Sequence, residues 1–89
     1  MKTILFYWSK GAETRRKIIR LIAESEKKGE GCYLNILAER MKLSHVAVKK
    51  HLDLLIEEKY VGILNPDGKP NFLTLTEKGK EIIKEFSRE

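Results

Sequence analysis

The run Ser44-His45-Val46-Ala47-Val48-Lys49-Lys50 gathers a hydroxyl, an imidazole and two ammonium groups within two helical turns. If Ala47 and Val48 turn inward, His45, Val46, Lys49 and Lys50 share the outer side of one rod. Hydrogen-bond donors beside one methyl-bearing side chain suit the DNA major groove, where guanine O6 and N7 accept and thymine presents a methyl. Ser44 has the side chain that caps the first amides of such a helix. This is the chemistry of recognition. For bond making the chain offers little: no Ser, His and Asp set, no paired carboxylates, no phosphate-cradling Gly-rich loop, and a single cysteine, Cys32, without an orienting partner. One cysteine allows no intrachain disulfide and no multi-cysteine zinc site, and His45 and His51 add no usual ligand spacing. No metal, no cofactor and no enzymatic activity are therefore expected, and Cys32 is read as a small buried hydrophobe.

A formal charge of +5 and a pI near 9.4 point to a polyanionic partner. The excess is uneven: residues 1–50 carry twelve basic and five acidic residues, residues 51–89 six and eight. Hydrophobic residues at 42% with 35% charged give a globular mixture that is too apolar for disorder. Its longest early apolar run, Ile4 to Trp8, is shorter than a signal-peptide core or a membrane span, so a cytoplasmic protein without membrane contact is expected.

The elements that must position the 44–50 group follow from periodicity. Leu34, Leu37, Ala38 and Met41 recur at the spacing of one helical face; a tight turn follows, and Ala47, Val48, Leu52 and Leu55 form the inward face of the next helix, which should run over 44–59. The first of these two helices starts either after Asn35 as cap or near Tyr33 with no side-chain cap. Before them, residues 12–28 form an amphipathic helix with Ile18, Ile19, Leu21 and Ile22 on one face, closed by Gly29. Its charges include i, i+4 pairs Glu13 with Lys17 and Arg20 with Glu24, a solvated face, whereas Arg15 and Arg16 have no obvious partner. Tyr60 to Leu64 and Asn71 to Leu75 read as strands joined by Asn65-Pro66-Asp67-Gly68-Lys69-Pro70, with pairing only after Pro70 because proline has no N–H to donate. Thr76 begins a last helix over 76–88 with Gly79, Ile82, Ile83 and Phe86 on one face.

In this order the segments resemble winged helix-turn-helix proteins, and ETRRKIIRLI, LAERMKLSHVAVKKHLDLLIEEKYV and LTLTEKGKEII are similar to the corresponding parts of ArsR-like and MarR-like transcriptional regulators. The resemblance implies an α+β winged helix domain over 12–89: a three-helix core, a C-terminal hairpin wing at 60–75 and a closing helix. It further implies regulation of transcription by binding of double-stranded DNA, with Ser44, His45, Val46, Lys49 and Lys50 at the duplex and Lys69 at the wing tip meeting flanking backbone. Lys42 stands where such proteins commonly have Gly or Asn. A left-handed lysine costs on the order of 1 kcal/mol, so a differently shaped turn is expected. The alternative function is a winged helix used for protein contact within a transcription or replication assembly.

Residues 1–11 suit a strand or an extended arm by their β-branched and aromatic character. Ile4, Phe6 and Trp8 either pack on the domain's own core or meet a second subunit; with Ile82, Ile83 and Phe86 at the other end they exceed what a small core should absorb, so a homodimer joined through both ends is expected.

Overall fold

The computed structural model describes residues 4–86. Four helices and a two-stranded antiparallel sheet follow one another as α1 (Ala12–Lys28), α2 (Leu34–Met41), α3 (His45–Glu57), β1 (Val61–Ile63), β2 (Leu73–Leu75) and α4 (Glu77–Phe86). The apolar stripe of α1 places Ile18, Ile19 and Ile22 fully inside, against Leu37 of α2, Val48 and Leu55 of α3 and Leu75 of β2. Val61 pairs with Leu75 and Ile63 with Leu73, so the sheet's inner face joins this core. α4 comes close enough to the start of the hairpin that a Cβ at Gly79 would run into the Tyr60 carbonyl, which fixes glycine there. Thr76 caps α4 by accepting from the Gly79 amide at 3.1 Å.

Several boundaries move. α2 begins at Leu34 with Tyr33 as an extended N-cap residue and no side-chain cap, the second of the two starts considered. α3 ends at Glu57, two residues early, because Lys59 adopts φ 66° and turns the chain so that Tyr60 enters the core. The strands are shorter than expected: Tyr60 bonds back to the Leu55 carbonyl, and the Asn71 side chain is drawn into the loop. The first cross-strand bond beyond Pro70, from the Leu64 amide to the Phe72 carbonyl, measures 2.8 Å. The α4 helix begins at Glu77, one residue after its cap, and the expected extension to residue 88 lies outside the described residues.

The turn before α3 has no unusual shape. Lys42 takes φ 56°, ψ 41°, the left-handed conformation whose cost argued against it, and its amide together with that of Leu43 closes α2 on the Glu39 and Ala38 carbonyls. The penalty of about 1 kcal/mol is small beside the tertiary packing that fixes α2 against α3.

Residues 4–11 are neither a strand nor an extended arm but a series of turns folded onto the domain. Phe6 is fully buried, edge-on to Tyr60 and Phe86 at centroid distances of 4.9 and 5.3 Å. Ile82 and Phe86 are buried in the same core. The surplus of apolar side chains that argued for a dimer therefore shrinks to Ile4 and Trp8, 67% and 87% exposed. What holds the turns is α1: Arg16 donates to the Phe6 carbonyl and lies over the Tyr7 ring, and Arg15 donates to the Leu5 carbonyl at 2.7 Å. The expected Arg20 to Glu24 pair is replaced, since Arg20 lies over Phe86 and Glu24 pairs with Lys28 at 2.9 Å.

Candidate nucleic-acid interface

Ser44 sits in an extended conformation and accepts from the Ala47 amide at 3.1 Å, which starts α3 at His45 and fixes the rotation of its first two turns. Val48 then points into the core, and Ser44, His45, Val46, Lys49 and Lys50 all fall on the exposed side, Val46 with 80% of its surface open. Five of the six residues singled out in the sequence are thus brought together on one helix.

Lys49 is not free. Its ammonium pairs with Asp53 one turn on, at 2.8 Å, with both side chains more than half exposed. An exposed i, i+4 pair is worth about 0.3–0.5 kcal/mol, so exchanging this carboxylate for another acceptor costs little. Asp53 was missed by the sequence reading, although its i, i+4 spacing from Lys49 was a visible signal. Both residues line a groove of about 260 Å³ between α3 and the hairpin, with Tyr33, Asn35, Pro70 and Asn71 on its other walls. Lys69, the sixth residue, is exposed on the loop next to Pro70 of that wall and does not itself line the groove. Two asparagines shape the loop: Asn65 donates to the Pro70 carbonyl and accepts from the Phe72 amide, and Asn71 donates to the Asn65 and Gly68 carbonyls, all within 3.1 Å.

On its other flank α3 meets the folded arm. His51 is half-buried and its Nδ1 lies 3.1 Å from Arg15 Nη1. Arginine can only donate, so Nδ1 accepts and the imidazole is neutral with its proton on Nε2. Burial lowers the His51 pKa, and the neighbouring Arg15 and Lys50 lower it further. Burial likewise lowers that of Arg15. Cys32 is buried, and loss of solvent raises its thiol pKa above the ordinary value. Among the described residues no three His, Cys, Asp or Glu side chains converge on a metal position, and no helix is long and apolar enough to cross a membrane.

No protein-family profile matches the chain, and no curated protein matches it. Among solved structures it is similar to a double mutant of ZitR from Lactococcus lactis, with 24% identity, a TM-score of 0.70, and coverage of 99% of this chain and 57% of that one. The chain thus spans a little over half the length of that ZitR chain. Four helices with an antiparallel hairpin between the third and fourth, matched to that structure over nearly the whole length, make this a winged helix fold of the α+β class.

Proposed function

We propose that this domain is a sequence-specific, double-stranded DNA-binding transcriptional regulator in which α3 enters the major groove and the 65–70 loop lies on flanking backbone or minor groove. The observation that carries the reading is the exposed face at the start of α3, where Ser44 caps the helix, His45, Val46, Lys49 and Lys50 follow it, and Lys49 borders a groove leading to the wing. At least one of Lys49 and Lys50 reads a base edge, most simply guanine O6 and N7, and Lys69 meets a phosphate. A good base contact discriminates by about 1–3 kcal/mol. Losing a phosphate contact weakens binding to all sequences alike and makes the slope of log K against log salt shallower by roughly 0.9. Competition titrations of Lys49→Ala, Lys50→Ala and Lys69→Ala, against a site selected from random DNA and a scrambled duplex at several salt concentrations, test the assignment. Relaxed preference at one position in each half-site is expected from a lysine of α3 and a uniform loss from Lys69. Equal losses on both duplexes for both α3 lysines would reduce the helix to an electrostatic anchor.

Ile4 and Trp8 favour a second element of the reading, association of two copies of the chain through the arm. Sedimentation of the wild type and of Trp8→Ala at tens of micromolar checks it. A wild-type monomer would remove the dimer and leave the DNA reading standing.

A further inference from the structure

A cavity of about 470 Å³ opens between the arm and α3, lined by Lys10, Gly11, Arg15, Lys50, His51 and Leu54. Its charge is one-sided. Three fixed cations and an imidazole surround it, and among the described residues no carboxylate lines it. Arg15 is 6% exposed, yet each of its partners among the described residues is neutral: the Leu5 and Lys10 carbonyls, the Ser9 hydroxyl and His51 Nδ1. A buried charge is costly unless an opposite charge compensates it, and here none among the described residues does. Guanidinium carries five N–H donors, and these four contacts leave one Nη1 hydrogen unused. The same cavity borders the start of α1, where Gly11 is the N-cap residue at φ 87° and supplies no side chain to the first-turn amides. A Cβ at Gly11 would lie 2.5 Å from the His51 ring, so a side-chain cap cannot be built in without displacing it.

We propose that this cavity is a binding site for a phosphate-class oxyanion, held by Lys10, Lys50 and the unused Arg15 donor at the start of α1. The anion supplies the charge that the cavity lacks, while neutral His51 keeps Arg15 in place from behind. Two sources share this chemistry, a phosphate of the duplex and a free phosphate group. The first rests on the DNA-binding reading above, because Lys50 would then bridge the α3 face and a backbone phosphate beside it; the site itself does not depend on that reading.

Inorganic phosphate is the direct probe. Titrated into the whole chain against chloride at matched ionic strength, it should shift the amide resonances of Gly11 to Arg15 and the His51 ring signals saturably. Lys10→Ala should weaken that binding by roughly threefold, the worth of one exposed ion pair. Lys17→Ala, an exposed charge on α1 that does not line the cavity, should leave it unchanged. The occupant is then told apart on DNA. If it is a duplex phosphate, Lys10→Ala makes the salt slope shallower by roughly 0.9 on selected and scrambled duplexes alike. If it is a free phosphate group, the phosphate titration saturates and the slope does not move. Phosphate shifts no larger than those of chloride, or shifts that Lys10→Ala leaves unaltered, overturn the site whatever the DNA titrations give. Absence of any DNA binding would remove the regulator reading and leave the phosphate titration to decide the site on its own.

Discussion

The wing and the arm are both irregular segments at the edge of the core, but they are held in opposite ways. The wing carries its own fastenings: Asn65 and Asn71 close the loop onto carbonyls within it, and Phe72 at its base packs edge-on against Tyr33 at 5.7 Å. The arm has few of its own. Its carbonyls at Leu5, Phe6 and Lys10 are taken by Arg15 and Arg16 from α1, and its Phe6 ring fills a space between Tyr60 and Phe86. A segment fastened locally can change shape at its tip without disturbing the core. One fastened by distant side chains shares the stability of the core.

The largest effect that would break this comparison lies in the arm. Phe6→Ala should cost about 3–5 kcal/mol, as fully buried Phe truncations do, against a total near 5–15 kcal/mol for a small domain. Trp8→Ala, two residues on and 87% exposed, should change stability by no more than about 0.5 kcal/mol. Urea unfolding followed by circular dichroism measures both. Similar small costs would mean that the arm is a loose appendage after all. For the same reason, deleting residues 2 to 8 should unfold the chain rather than give a helical monomer.

A smaller effect belongs to the wing. Asn65→Ala removes one donor and one acceptor at the base of the loop and should cost about 1–2 kcal/mol, confined to that region. Amide exchange should quicken at Leu64 and Phe72 with little change in α1; faster exchange in both would contradict a locally fastened wing.

The smallest effect is a pH dependence at the arm. The pKa of His51 is depressed in the folded state, so the unfolded chain binds its proton first and acid favours unfolding. Its contribution is present above the ordinary histidine pKa of about 6.5 and is lost as pH falls through the lower folded value. Wild type should therefore lose more in Tm between pH 7.5 and 5.5 than His51→Gln. Parallel curves would show that His51 has no part in holding Arg15.

What was legible in the sequence divides along the same line. Helix faces, the Ser44 and Thr76 caps, the Gly29 stop and the reversal at Pro66 to Pro70 depend on residues near one another in the chain, and all were readable. So was the gathering of Ser44, His45, Val46, Lys49 and Lys50 on one exposed face, since helical spacing alone decides it. The arm was misread because β-branched and aromatic residues favour a strand only when a partner strand is available, and here the partners are side chains ten residues away on α1. Arg15 and Arg16 carried that information as charges lacking an i, i+4 mate, but nothing local said that they would take backbone carbonyls. Lys42 was misjudged for a related reason: a local penalty near 1 kcal/mol does not decide a turn that two packed helices impose.

Strand β2 has an outward edge, and both of its amides are occupied: Leu73 donates to the Cys32 carbonyl and Leu75 to the Glu26 carboxylate, at 2.8 and 2.7 Å. Thr74 adds its hydroxyl to the same carboxylate. An exposed strand edge is a template on which another chain can grow a sheet, the first step of aggregation and strand exchange. Here α1 and the segment after it close that template with one carbonyl and one acidic side chain. Templated polymerisation along β2 is thereby blocked, and Glu26→Ala would reopen half of the route without touching a single apolar residue.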